Sequence, residues 1–244
     1  MSLNKQDLIH VFIEEACDLK QILPEQIPIS VLYEDEDLIV IDKPAGMPIH
    51  PSLNHSEQTL ANALFGYFRT CDSPFVFRCV NRLDRDTSGI TIVAKNPLSS
   101  AILNSDMKNG SISRTYYAIV EGIIELYGTI DSPIARVSES LIEREINESL
   151  GVSAVTHFSR IKTENELSLV SLKLETGRTH QIRVHMKSIG HPLIGDFLYN
   201  PTCQKMERQA LHAGKISFWH PITKELICLH APWPKDFIMT AVSE

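Results

Sequence analysis

The stretch that most limits what this chain can fold into is Arg78-Cys79-Val80-Asn81-Arg82-Leu83-Asp84-Arg85-Asp86-Thr87-Ser88-Gly89-Ile90-Thr91-Ile92-Val93-Ala94-Lys95. Charged residues crowd its first half, and a β-branched apolar run fills its second. Thr87-Ser88-Gly89 is a turn signal, and Ile90 to Ala94 reads as a buried strand. Asp84 therefore belongs to a loop that feeds directly into a core strand. Arg82 and Arg85 flank it, and nearby cations favour the ionised carboxylate. An ionised Asp fixed on such a loop is a candidate catalytic group. A loop tied down by ion pairs is the plainer alternative.

Composition bounds the class. At 244 residues the chain has ample length for a core, and its 43% hydrophobic content is ordinary for a soluble globular protein. No apolar run approaches the roughly 20 residues of a membrane span. The N-terminal residues lack a signal-peptide core, which makes the cytoplasm the expected location. Five scattered cysteines without a CxxC pair argue against a disulfide framework and against a zinc site. Ten histidines are present, yet HExxH spacing is not, so no metal is expected. The net charge of -7 at first opposes nucleic-acid binding. Residues 1 to 38 hold nine acidic and two basic side chains, however, and the remainder is neutral. The body can therefore carry a basic groove, because a phosphate backbone responds to the local field.

Taken in order, residues 5 to 19 read as an amphipathic helix. Residues 1–28 are expected to form an acidic extension dispensable for chemistry, and 29–244 a single catalytic domain. Ile29 to Tyr33 and Leu38 to Ile41 read as strands around an acidic turn, with a rigid Lys43-Pro44-Ala45-Gly46 loop after the second. Thr59 to Arg69 reads as a helix. A second helix is N-capped by Asn96, with Pro97 at its first position and Gly110 after its end. Arg114 to Val120 reads as a strand, and 128 to 150 as irregular. Val152 to Ile161 and Leu167 to Leu174 alternate as a hairpin across Thr163 to Glu166. Thr179 caps a helix running to Ile189 and ended by Gly190, and Leu211 to Phe218 and Glu225 to Leu229 are late strands. Strands outnumber helices and lie too close together for βαβ units. The expected class is α+β, a mixed and largely antiparallel sheet with flanking helices.

Three further stretches carry chemistry. Thr176-Gly177-Arg178-Thr179-His180-Gln181-Ile182-Arg183 makes a turn and a helix start, which points backbone N–H groups and Arg183 at an anion. Arg114-Thr115-Tyr116-Tyr117-Ala118 puts its two tyrosines on opposite faces of a strand. Gln209-Ala210-Leu211-His212-Ala213 precedes Phe218-Trp219-His220-Pro221 and Ala231-Pro232-Trp233-Pro234.

These residues resemble a family. Asn81 to Gly89 is similar to the RLDxxTSG signature of the RluA-type pseudouridine synthases, although many members have His where Asn81 stands. The Lys43 loop with His50-Pro51, the TGRxHQIR pattern at 176–183 and the K/R-x-Y-x-A pattern at 114–118 follow the family order. The matches run from about residue 31 to 237. The resemblance implies isomerisation of uridine to pseudouridine in structured RNA, a ribosomal large-subunit hairpin or a transfer-RNA arm, by a monomer that needs no cofactor. It implies that Asp84 is the nucleophile or base, that Arg183 pairs with it, and that Tyr116 stacks on the uracil. Arg82 would stand in for the extruded base, Leu211 would lie near the uracil, and Arg178, His180 and Lys43 would contact the RNA. Many relatives begin with an extra RNA-binding domain; about thirty residues precede the first strand here. A competing reading is a magnesium phosphotransferase of the haloacid-dehalogenase type, built on Asp84, Asp86, Thr87 and Gly195-Asp196. The two arginines in 77–83 oppose the buried parallel strand which that reading requires.

Overall fold

The computed structural model describes residues 22–52, 56–69, 75–203 and 205–237. The helix expected over 5–19 lies outside these residues. The first half of the described chain contains β1 (Ser30–Glu34), β2 (Leu38–Lys43), α1 (Leu60–Arg69), β3 (Arg78–Cys79), β4 (Ser88–Ala94), α2 (Pro97–Lys108) and β5 (Ser113–Glu121). The second half adds β6 (Tyr127–Asp131), β7 (Ile134–Arg136), β8 (Arg144–Ile146), β9 (Val155–Glu164), β10 (Leu167–Leu174), α3 (Gln181–Ser188), β11 (Leu211–Trp219) and β12 (Leu226–His230).

Ten strands form one sheet in the order β1-β2-β4-β11-β5-β10-β9-β6, with β3 also on β4 and β12 also on β11. Every pairing within it is antiparallel except β4 with β11. That parallel contact is where the chain returns to its middle, and it depends on one glycine. Gly89 has a φ of 111°, and a Cβ there would strike the Ala213 carbonyl, so only glycine lets the two backbones meet.

Period-two patterning explains how the centre of the sheet is buried on both faces. Leu38 and Val40 of β2 share a core with Ile90 and Ile92 of β4 and Leu103 of α2. Their alternates Ile39, Ile41 and Val93 pack against Leu60, Leu64 and Phe68, one stripe of α1. Each large side chain buried there contributes about 1.5–3 kcal/mol. Residues 23–27 hold α1 from outside: Asn62 Nδ2 donates to the Leu23 carbonyl at 2.8 Å, and the Glu25 amide donates to the Asn62 carbonyl at 3.0 Å. Farther along, Tyr116, Ala118 and Val120 of β5 face Ile182 and Met186 of α3. Ile119 points the other way, into a cluster with Leu169, Ile194 and Phe237.

The sequence reading holds for most elements and needs two corrections. Residues 128–150 contain β6, β7 and β8 rather than irregular chain. The last two are three residues long, and each presents a single isoleucine inward, so no apolar run announces them. Thr179 does not cap α3. His180 occupies the cap position in the left-handed region, and no side chain caps the helix there. The Gln181 side chain ties this turn instead, accepting from the Arg178 amide at 3.0 Å and the Thr176 hydroxyl at 2.8 Å. The expected hairpin turn tightens to Asn165-Glu166, both with positive φ, as a two-residue turn demands.

Candidate active site

The Asp84 loop is held from behind before any functional contact is made. Asn81, standing where the resembled family often has His, is buried and behaves as a short extension of the sheet. Its Nδ2 donates to the Ile90 carbonyl at 2.9 Å, and its Oδ1 accepts the Ile92 amide at 2.8 Å. Lys43, at the end of β2, is fully buried. Its ammonium donates to the carbonyls of Pro44, Met47 and Arg85 at 2.7, 2.8 and 3.0 Å. Burial pushes this amine down to about 7, while Asp86 and Asp84 pull the other way. The sequence points to Lys43 as an RNA contact; here its three hydrogens are taken up by the backbone around the site.

The cation that meets Asp84 comes from far along the chain. Arg183 Nη1 donates to Asp84 Oδ2 at 3.1 Å. The sequence neighbours do not play that part. Arg85 turns outward and pairs with Asp86 through two 2.9 Å bonds, and Arg82 is exposed. Arg183 sits in the first turn of α3, three residues past His180, and is 2% exposed. Its Nε and Nη2 form a two-pronged contact with Asp196 at 2.7 and 2.8 Å. Asp196 is fully buried and also accepts the amides of Leu198 and Tyr199 at 3.1 Å each. Buried charges persist only when so compensated. The Arg183 guanidinium further lies over the Tyr199 ring at 4.9 Å. Its rigid end is thereby oriented before Asp84 is reached.

Apolar groups close around the carboxylate. Leu83, Tyr116, Ile182 and Leu211 belong to one buried cluster, and all four line a cavity of about 60 Å³ with Asp84, His180 and Arg183. Asp84 itself keeps 27% of its side chain exposed, so it is reachable from that space. Tyr116, the inward member of its pair, has its pKa raised by burial, with the Arg114 guanidinium hydrogen-bonded to the phenol and opposing the shift. Tyr117 packs on Trp233, ring centroids 4.6 Å apart, away from the cavity. The small cavity shares Arg82, Asp84, Tyr116 and Arg178 with a cleft of about 870 Å³ that is also lined by His50, Lys108 and Arg114. Arg178 is exposed and donates to the Ser153 carbonyl at 3.0 Å. The site thus pairs a small pocket, apolar on the side of Leu83, Tyr116, Leu174, Ile182 and Leu211, with an open, cation-rimmed approach.

Two supports escape a reading of sequence. In the sequence Asp196 enters through the phosphotransferase reading, and nothing in its spacing tells that it clamps Arg183. Arg208 is 8% exposed. It grips Asp236 at 2.6 and 2.8 Å while donating to the carbonyls of Asp86 and Leu211 at 3.2 and 3.1 Å, which joins the C-terminal segment to both walls of the pocket. A cation followed 28 residues later by a carboxylate carries no local signal. Among the described residues one group could gather metal-ligating atoms, Asp35, Asp37 and His220. There Asp35 already accepts from Tyr33, His220 and two backbone amides, which accounts for the cluster as a latch.

Comparison with known proteins assigns this arrangement. A family model described as RNA pseudouridylate synthase matches residues 37–188. The chain is 44% identical to the uncharacterized RNA pseudouridine synthase YjbO of Bacillus subtilis, over 96% of this chain and 83% of that protein. It is 40% identical to the ribosomal large subunit pseudouridine synthase D of Zymomonas mobilis, over 87% of this chain and 72% of that one. A solved structure of human RNA pseudouridylate synthase domain containing 1 superposes with a TM-score of 0.69 at 28% identity, covering 85% of this chain and 84% of that one. The phosphotransferase reading falls with these matches, and β3, two residues long and antiparallel to β4, is not the strand it needed. The chain belongs to the RNA pseudouridylate synthase family, and its reaction is the isomerisation of uridine to pseudouridine in RNA.

Proposed function

We propose that Asp84 is the group that opens the N1–C1′ bond, either by attack or by removing a sugar proton, and that Arg183 and Tyr116 serve it. The observation that carries this reading is the lone, partly exposed carboxylate of a small, part-apolar cavity with a buried arginine on one of its oxygens. Isomerisation detaches the uracil, turns it and rejoins it through C5. The atoms balance without a co-reactant. The pocket has to exclude water while the base is free, and Leu83, Ile182 and Leu211 suit that task. Tyr116 presents its ring to the uracil, a flat apolar surface on which the base can turn. The target nucleotide leaves its stack, at a cost of a few kcal/mol, and the exposed Arg82 at the mouth is placed to stack where it was. Arg178, with Lys108 and Arg114 also lining the cleft, would take phosphates.

The substrate we favour is a stem-loop of ribosomal large-subunit RNA, read by shape and phosphate contacts; the names of several relatives support the ribosomal choice. One experiment with two arms tests the reading. Asp84→Asn should abolish pseudouridine formation on that RNA while circular dichroism and RNA binding remain those of the parent. The isolated hairpin should be modified at a rate comparable with the full RNA. Turnover by Asp84→Asn near the parent rate would remove Asp84 from the chemistry; an inert hairpin with an active full RNA would show that recognition extends beyond local shape.

A further inference from the structure

His180 occupies an unusual backbone state. Its φ of 57° and ψ of 17° are left-handed, a region that few non-glycine residues enter and that costs on the order of 1 kcal/mol. It stands where a side chain usually caps a helix, yet its imidazole makes no capping bond. The ring instead reaches two other groups. Nδ1 lies 2.9 Å from the Tyr199 hydroxyl, and Nε2 lies 3.8 Å from Asp84 Oδ2.

The hydrogen bonds suit the tautomer with its proton on Nε2. The Tyr199 oxygen accepts the Arg144 backbone N–H at 2.9 Å, and its own proton is free to be donated to His180 Nδ1. Burial pushes Tyr199 up to about 12, so the phenol keeps that proton at working pH. A neutral imidazole that accepts at Nδ1 carries its hydrogen on Nε2, the nitrogen turned to Asp84. Arg183 reaches the same oxygen, Oδ2. Among the described residues no hydrogen bond reaches Oδ1.

We propose that His180 is a positioning residue for the isomerisation: Arg183 bonds Oδ2 of Asp84, the His180 ring flanks the same oxygen at 3.8 Å, and Oδ1 is left as the oxygen presented to the uridine. This rests on Asp84 being the reacting carboxylate. The charged groups around the ring are Asp84 from the loop before β4, Asp196 from the loop after α3, Arg183 on its own helix and Arg144 from β8. Burial, Arg183 and Arg144 lower its pKa from 6.5, while Asp84 and Asp196 oppose the shift, so the ring is neutral at pH 7 and gains charge only in acid. Protonation would put a second cation on Oδ2 and blunt the carboxylate, which gives the rate an acidic limb.

The test is single-turnover pseudouridine formation, with RNA affinity measured beside it. His180→Leu should slow the saturated rate by about tenfold, the worth of a polar N–H turned toward the carboxylate without a formed hydrogen bond, and leave RNA affinity within about twofold. His180→Gln places a donor near the same point without titrating; it should recover most of the rate and lose the part of the acidic limb that His180 supplies. Tyr199→Phe, which frees the imidazole without touching it, should shift the rate in the same direction as His180→Leu and serves if that variant fails to fold. Weakened RNA affinity with an unchanged saturated rate would make His180 an RNA contact and overturn the proposal. So would a His180→Gln enzyme as slow as His180→Leu. An active Asp84→Asn enzyme would sink the underlying assignment instead, a result that these variants cannot imitate.

Discussion

Two buried cations flank the Asp84 loop, and they are held in opposite ways. Lys43 is surrounded by backbone: three carbonyls accept from it, and among the described residues no carboxylate forms an ion pair with it. Arg183 is surrounded by carboxylates: Asp196 takes two of its nitrogens, and Asp84 takes a third. The first arrangement ties two loops to each other and gives the ammonium no reason to be permanently charged. The second fixes a planar, always-charged group so that one nitrogen, Nη1, faces Asp84. A lysine suffices where the loop path must be pinned. An arginine is needed where direction matters.

The largest expected effect breaks the second arrangement. Arg183→Met leaves Asp196 buried without a partner and Asp84 without its cation. Stability should fall by about 3–5 kcal/mol, the cost of breaking a buried pair from one side. Turnover in whatever remains folded should fall by two orders of magnitude or more, on the order of what removing one preorganised donor costs. Arg183→Lys should recover charge but not geometry, since one ammonium cannot span Asp196 and Asp84 together. Urea melts and single-turnover assays at fixed RNA would show this; a fully active lysine variant would mean that charge alone suffices.

How much of this could be read from the chain differs between the two cations. The strands beneath them, β2 and β4, are apolar runs with turn signals at their ends, and period two divides Leu38 and Val40 from Ile39 and Ile41 without ambiguity. Asp84, Tyr116 and Arg183 stand out because local pattern and family resemblance agree there. The partner of Asp84 was legible only through the resemblance, because proximity in sequence favours Arg82 and Arg85 while contact is made 99 residues away. Lys43 misleads for the opposite reason. A lysine beside Pro-Ala-Gly reads as an exposed, RNA-facing cation, and only the fold reveals that Met47 and Arg85 bring their carbonyls to it. The clamp by Asp196 was invisible as a clamp, because it depends on the left-handed Gly195. A Cβ there would strike the Arg208 carbonyl.

A smaller effect separates the clamp from the contact it orients. Asp196→Asn keeps the shape and the one oxygen that accepts both backbone amides, but removes the charge and sets an NH2 against Arg183 Nε. Arg183 should then lean toward Asp84, its remaining carboxylate. Stability should fall by about 1–3 kcal/mol, as for a weakened charged hydrogen bond, and turnover by about tenfold. The saturated single-turnover rate measured beside RNA affinity checks it. A rate equal to the parent's would show that Arg183 is held by α3 and the Tyr199 ring alone.

The smallest effect distinguishes a titrating anchor from a permanent one. Lys43 has a folded pKa near 7 against an ordinary 10.5. Below about 7 both folded and unfolded chains carry the proton, and the fold bears the full penalty of burying the charge. Between 7 and 10.5 the unfolded chain keeps a proton that the folded chain has released, so stability rises with pH, by up to about 1.4 kcal/mol per unit. Above 10.5 neither chain holds it, and the penalty is gone. Lys43→Met removes this titration and strips a donor from the carbonyls of Pro44, Met47 and Arg85. The parent's advantage over Lys43→Met should therefore widen from pH 7 to pH 9 in urea midpoints, while the saturated rate of the variant falls by no more than about tenfold, since the loop is loosened and the reacting groups are not touched. Arg183→Lys assayed over the same interval should show no such widening against its parent, because the parent's arginine does not titrate there. Parallel stability curves for the parent and Lys43→Met would mean that three carbonyls, with Asp86 and Asp84 nearby, keep the ammonium charged throughout. The two anchors would then differ in geometry alone.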